Sequence, residues 1–344
     1  MSSYKLDRIC IVMMSAIGDA VHVLPVINAI KRHHPSSHIT WVMQSGPASL
    51  VRGHPAVDDI VIFDRTSGWR GFLRVREELH RHQFDLLIDL QVYLKAGVIT
   101  ALSGAPVRLG FDRSRARDMN WLFTNRQIPA RPVQHVQDQY FEFLTELGIS
   151  PEPVEWNLGP WPNELEVQHQ WGERIGQRYA VIIVATSKPD KDWIPERWAE
   201  ICDVLQDSYN LRPVLAGGNS EREKHAAEII LKNTRSDAFN ALGSGLRQLV
   251  SIIDASQIVL SPDTGPLHMS VALNKPVISL IGYSDPRRTG PYREFQDLII
   301  DAYHDSGEKT PVSMETRSGR MPRITVSDVR GKLRLWKERY RPKS

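Results

Sequence analysis

Between residues 8 and 281 the chain alternates short runs of bulky apolar residues with stretches of helical periodicity, in two blocks separated by a single interruption. In the first block the run Arg8-Ile-Cys-Ile-Val-Met-Met14 stops at Ser15-Ala-Ile-Gly18-Asp19, after which Val21, Leu24, Ile27 and Ile30 recur at helical spacing. Strand patterns over 38–44, 59–63 and 84–90 follow, with helical patterns over 71–82 and 93–102. A helical stretch over 134–147 ends at Gly148, and the proline-rich segment 149–165 loses all periodicity and reads as a linker. The alternation then restarts. Strands are expected over 179–185, 213–216, 257–261 and 276–281, and helices over 196–209, 221–232, 246–255 and 266–273. Such a rhythm places helices on both faces of a mostly parallel sheet. The expected architecture is therefore α/β, with two doubly wound domains, residues 1–160 and 161–325, facing a cleft. The basic amphipathic end, with Val329, Leu333 and Trp336 on one face, is expected to form a closing helix over 326–344 that packs across the domain junction.

Length and composition agree with this reading. At 344 residues the chain exceeds what one hydrophobic core organises. A formal charge of +3 is mild, and apart from Arg113, Arg115 and Arg117 the basic residues are scattered, so nucleic-acid binding is not demanded. The two cysteines, Cys10 and Cys202, lie far apart without metal-ligand spacing and read as buried thiols in a reducing compartment. The apolar run near the start is too short to span a bilayer and lacks the features of a signal peptide. A cytoplasmic protein is expected.

Parallel sheets bind ligands beyond the carboxyl ends of their strands, where loops enter helices whose first amides can meet anions. Four segments occupy such positions. In Ser15-Ala-Ile-Gly18-Asp19, Gly18 would permit a tight turn, and Asp19 is either a helix cap or a carboxylate able to take a proton from a hydroxyl. His22, one turn later, either orients that carboxylate or packs. In Ala185-Thr-Ser-Lys-Pro-Asp-Lys191-Asp-Trp193, the hydroxyls of Thr186 and Ser187 with a nearby lysine make a diphosphate cradle, or else a solvated loop. Lys191 is preferred over Lys188 because Trp193 would anchor it. In Ala216-Gly-Gly-Asn-Ser-Glu221, the glycines admit a ligand to the backbone and Glu221 could bind a ribose hydroxyl pair or merely open a helix. Two adjacent glycines are not the GxGxxG fingerprint, which disfavours a nicotinamide oxidoreductase. The fourth segment, Ser261-Pro-Asp263-Thr264-Gly265-Pro266-Leu-His268, ends a strand in a polar triad before a proline suited to a first helical turn. Amides at Thr264 and Gly265, with hydroxyl and imidazole donors, would meet a phosphate; a capping aspartate beside a core histidine is the bland alternative.

Taken together, SAIGDAVHVLP, TSKPDKDWIPERW and SPDTGPLHMSVALNKPVISLIGYSDPRRTGPY resemble the heptosyltransferase family, glycosyltransferase family 9, in order and spacing over nearly the whole chain. The resemblance implies a GT-B architecture of two Rossmann-like domains. It also implies an inverting transfer that needs no metal or other cofactor, typically from ADP-L-glycero-D-manno-heptose to the inner core of lipopolysaccharide. On that basis Asp19 is the general base, within a loop that includes Ser15, Gly18 and His22. Thr186, Ser187, Lys191, Glu221, Asp263, Thr264, Gly265 and His268 bind the donor. The partners implied are a nucleotide-diphosphate sugar and a lipid-linked or lipopolysaccharide-core acceptor, met at the inner face of the cytoplasmic membrane with help from Arg113, Arg115 and Arg117. The sequence departs from the family pattern at Met13 and Met14, where a basic and a hydroxyl residue are common, at Ala16, where serine is frequent, and over 310–324, where some members carry a cysteine-bearing segment. These departures bear on the acceptor more than on the donor. Two alternatives stay open: a family 9-like transferase with another nucleotide sugar or acceptor, and a non-catalytic nucleotide-binding regulatory module.

Overall fold

The computed structural model describes residues 4–341 and divides into two compact units, one formed by the chain up to Pro132 with Val136–Asn157, the other by Val133–His135 and the chain from Leu158 onward. The first unit contains β1 (Arg8–Val12), α1 (Ile17–His33), β2 (His38–Met43), α2 (Ser45–Val51), β3 (Asp59–Ile62), α3 (Trp69–Leu79), β4 (Leu86–Asp89), α4 (Leu94–Leu102), β5 (Val107–Gly110), β6 (Arg126–Gln127) and α5 (Val136–Leu147). Its strands form one parallel sheet in the order β3-β2-β1-β4-β5-β6. Ile9, Cys10, Ile11 and Val12 of β1 are fully buried, as expected of a central strand covered by helices on both faces.

The second unit repeats this plan. It contains α6 (Leu165–Ile175), β7 (Tyr179–Ile183), α7 (Pro195–Tyr209), β8 (Arg212–Ala216), α8 (Glu221–Asn233), β9 (Phe239–Asn240), α9 (Leu246–Ala255), β10 (Ile258–Pro262), α10 (Gly265–Ala272), β11 (Val277–Ile281), α11 (Pro286–Thr289), β12 (Ile299–Asp301) and α12 (Val326–Arg339). The sheet order is β12-β11-β10-β7-β8-β9, again all parallel. Counted from its own first strand, each sheet runs 3-2-1-4-5-6, so the winding reverses between β1 and β4 in one unit and between β7 and β10 in the other. The terminal helix α12 lays buried Val329, Leu333 and Trp336 against elements of its own unit, α7, β11 and β12, and Lys332 Nζ donates to the Asp297 carbonyl at 2.6 Å.

The chain reaches α1 differently from expectation. Gly18 lies inside the first turn of α1, which begins at Ile17, so the change of direction falls at Ser15 and Ala16 and no glycine conformation is used. No helix among the described residues is long and apolar enough to cross a membrane. Both cysteines are free and buried, and burial pushes their thiols up, Cys202 to about 12.

Candidate active site

In each unit the strand ends flanking the reversal point carry the polar residues singled out above. Asp19 sits in the first turn of α1, directly after β1. Its Oδ2 accepts from the Ala16 amide at 2.8 Å, and its Oδ1 accepts from the Tyr140 hydroxyl of α5 at 3.2 Å. The preceding loop is clamped by Gln91, which follows β4 on the other side of the reversal point. The Gln91 carboxamide oxygen accepts from the Met14 amide at 3.1 Å, and its nitrogen donates to the Ser15 carbonyl at 2.8 Å. The Gln91 amide in turn donates to Asp89 Oδ1 at 3.1 Å. Asp89 is completely buried; Thr100 and Asn120 donate to its Oδ2, each at 3.0 Å, yet burial still pushes its carboxyl up to about 7. Desolvation here outweighs three hydrogen bonds to the charged form. His22 is buried and directed at α5, where its Nδ1 meets Gln137 Oε1 at 2.9 Å while Gln137 donates back to the His22 carbonyl at 2.8 Å.

In the second unit, the loop after β7 and the loop after β10 are joined by one ion pair. Lys191 Nζ donates to Asp263 Oδ2 at 2.7 Å, and both side chains are largely buried. The same carboxylate oxygen accepts from Thr289 Oγ1 at 3.1 Å and from Ser284 Oγ. His268, one turn into α10, brings Nε2 to 3.9 Å from Asp263 Oδ1. Thr264 is the N-cap of α10 in extended conformation, Gly265 its first residue, and Pro266 occupies a position where a missing amide costs the helix nothing. Trp193 is buried, donates from Nε1 to the Ile324 carbonyl at 3.0 Å and packs edge-on against Trp198, so the loop bearing Lys191 is anchored. Lys188 instead lies over the Tyr283 ring, 5.3 Å from its centroid.

The remaining expected residues differ in how they are held. The Thr186 hydroxyl donates to the Lys188 carbonyl at 2.7 Å, which organises the loop, whereas Ser187 is exposed. Glu221 is exposed and paired with Lys224 at 2.9 Å, which lowers its pKa. Its neighbours do the structural work at the β8 end. Glu223 accepts from the amides of Gly218 and Ser220 at 2.6 and 3.0 Å. Arg222 reaches the β7 loop, donating to the Thr186 carbonyl and pairing with Asp192 at 3.0 Å. Of the arginine cluster, Arg113 is exposed and stacks on Trp121 at 4.5 Å, and Arg117 is exposed. Arg115 is buried between Asp112 and Glu142, with 2.7 Å to the latter, so it is a structural residue and not part of an acceptor-facing cluster.

A family model for glycosyltransferase family 9 (heptosyltransferase) matches residues 72–316, most of the chain. The chain belongs to glycosyltransferase family 9. A relative, the lipopolysaccharide core heptosyltransferase OpsX of Haemophilus influenzae, is 29% identical over 302 residues, covering 88% of this chain and 86% of the relative. Among solved structures, the Escherichia coli heptosyltransferase WaaC with ADP is 25% identical with a TM-score of 0.74, covering 96% of this chain and 98% of that one. A family 9 glycosyltransferase from Veillonella parvula superposes with a TM-score of 0.82 at 18% identity, covering 97% and 98%. As a family 9 member of this fold, the protein is a glycosyltransferase with the GT-B architecture of two Rossmann-like units.

Proposed function

We propose that this enzyme transfers a heptose from ADP-L-glycero-D-manno-heptose to an inner-core sugar of lipopolysaccharide, with inversion and without a metal ion. The donor assignment draws on the family match and on likeness to a heptosyltransferase solved with ADP. The acceptor assignment draws on the lipopolysaccharide core heptosyltransferase relative. In the step proposed, Asp19 takes the proton of an acceptor hydroxyl while that oxygen attacks the anomeric carbon. The bond from that carbon to the diphosphate breaks, and its electron pair leaves with ADP. Charge growing on the diphosphate is met by the Lys191 ammonium, the first amides of α10 and His268, fixed dipoles and cations that stand in for Mg²⁺. The observation that carries this reading is the Lys191–Asp263 pair, which sets a cation between the two loops at the reversal point of the second sheet. Ser187, Thr264 and Gly265 line the same strand ends, and Glu221 is assigned to the ribose. The acceptor is met at the inner face of the cytoplasmic membrane, with exposed Arg113 and Arg117 drawing on its anionic groups.

One observation favours a variant of this reading in which the acceptor differs from the family's usual one. Met13 and Met14 are 2% and 5% exposed, so the loop before Asp19 offers no cation or hydroxyl side chain at those positions. The test is purified enzyme with ADP-heptose and a panel of truncated core acceptors, in the presence of EDTA, with the product's anomeric configuration read by NMR. Turnover is expected to survive EDTA and to give the inverted anomer. It should fall by about 1,000-fold or more in Asp19→Ala, on the scale of losing a positioned base. Full activity in Asp19→Ala, or a retained anomeric configuration, would refute the proposal.

A further inference from the structure

At the end of the first sheet opposite Asp19, three side chains from separate segments converge. His38 opens β2, Asp59 opens β3, and His82 lies in the turn between α3 and β4. One potential ligand atom from each lies within 4.8 Å of the others. His38 Nε2 is 2.7 Å from Asp59 Oδ2, and His82 Nδ1 is 3.9 Å from that same oxygen, too far for a hydrogen bond. The His82 ring is held by aromatic packing instead, stacked on Phe84 at 5.5 Å and 16° and facing His38 at 6.4 Å and 29°. A cavity of about 450 Å³, also lined by Asp7, Arg8, Ser36 and Arg81, opens beside the trio.

We propose that His38, Asp59 and His82 form a binding site for a divalent first-row cation of the zinc class. Two donors bonded to one tetrahedral ion at ~2.1 Å stand roughly 3.4 Å apart, a separation bracketed by the 2.7 and 3.9 Å found here. Small side-chain rotations therefore suffice to seat the ion, because the strand register already fixes the backbone, with Thr40 paired to Asp59. Two imidazoles and one carboxylate suit zinc and its neighbours better than calcium or magnesium, which prefer all-oxygen shells. The cavity leaves room for water in the remaining position. The cation ties the starts of β2 and β3 to the turn before β4, and it takes no part in glycosyl transfer, since the strands are parallel and Asp19 lies beyond their other ends.

The test is zinc binding to the full chain after stripping with a chelator, read by competition with a chromogenic zinc indicator, with Co²⁺ absorption as a second readout. One zinc per chain and a raised melting temperature are expected. Binding should weaken at least tenfold in His82→Ala, in the milder His82→Gln and in Asp59→Asn, each checked for an unchanged melting temperature in EDTA. Binding should persist when the exposed pair His33 and His34 is replaced by alanine. Absence of stoichiometric zinc, or binding unaltered by both His82 variants, which would mean an adventitious ion only, overturns the site. Because turnover is not the readout, this result stands apart from the outcome of the transferase assay.

Discussion

Asp19 has a hydrogen bond at each carboxylate oxygen, one from the local Ala16 amide and one from Tyr140 across 121 residues of sequence. The first bond was legible, because an acidic residue in the third position of a helix reaches back to its cap. The second depends on α5 packing on α1, which no local pattern announces. Gln91 was invisible for the same reason, yet its carboxamide fixes the loop that delivers Asp19. Gln91→Leu keeps the volume but leaves the Met14 amide and Ser15 carbonyl without that partner, at a cost of about 1–3 kcal/mol. Displacing the proposed base by a fraction of an ångström should lower kcat by roughly 10–100-fold, with the KM for donor unchanged; an unaltered kcat would remove Gln91 from the positioning role. Behind it, Asp89 makes a distinct prediction in pH. Its carboxyl pKa is pushed up to about 7 by burial, above the ~3.9 of an unfolded chain. Between those values the folded state holds a proton that the unfolded state has lost. Asp89 therefore contributes a stability that is complete below about pH 4 and declines as pH rises towards 7. Melting temperatures of the wild type and Asp89→Asn, followed from pH 4 to 8, should show the wild type losing ground to the variant as pH rises. A constant difference would contradict the buried, protonated carboxyl.

The helix that opens beyond β8 separates structural from proposed binding residues within three positions. Ser220 caps α8 by accepting from the Glu223 amide, and Glu223 closes the box on the Ser220 amide. The S-x-x-E spacing was readable, but the adjacent glycines drew the functional reading to Glu221, which the structure leaves exposed beside Lys224. Ser220→Ala should cost about 1 kcal/mol of stability, measured by urea denaturation. Glu221→Ala should leave the urea midpoint essentially unchanged, because an exposed ion pair contributes little, and act instead on the donor KM. A stability loss in Glu221→Ala matching that of Ser220→Ala would invert these roles. Elsewhere the long periodic elements were plain in the sequence, α9 to the residue, because an apolar stripe has to repeat over three turns to cover a sheet. The two-residue edge strands β6 and β9 are too short to carry any alternation. The helix α2 begins Ser-Gly-Pro, a sequence that reads as a loop and is helical because proline fits a first turn. Ser284 and Thr289 escaped notice as partners of Asp263 because the turn after β11 meets β10's end only once the two strands are paired.

At the scale of the molecule, one plan used twice accounts for where chemistry can occur. The alternation of strand and helix required two parallel sheets, but not the order of strands within them. Adjacency between β1 and β4, or β7 and β10, is decided by which crossovers are right-handed and which edges remain open. Once that order is set, each sheet has one reversal point, and the residues nearest it are Asp19 with Gln91 in one unit and Lys191 with Asp263 in the other. Every residue assigned to the donor belongs to the second unit. Binding of ADP must then express its free energy first in that unit's amides. At a nucleotide concentration of 100 times Kd, the bound state gains about 2.7 kcal/mol over any opening that releases the ligand, so exchange through such openings slows by roughly 100-fold. Hydrogen exchange followed by mass spectrometry with and without ADP should show this slowing in the peptides spanning residues 184–194 and 262–270. Peptides from β2 and β3, which carry no residue assigned to the donor, should be unaffected. Lys191→Ala should diminish the protection in both affected peptides together, since the ion pair with Asp263 joins their loops. Protection by UDP or GDP equal to that by ADP would break the adenine assignment while leaving the diphosphate site intact. Protection confined to the first unit would place the donor in the wrong half of the chain and with it the division of labour argued here.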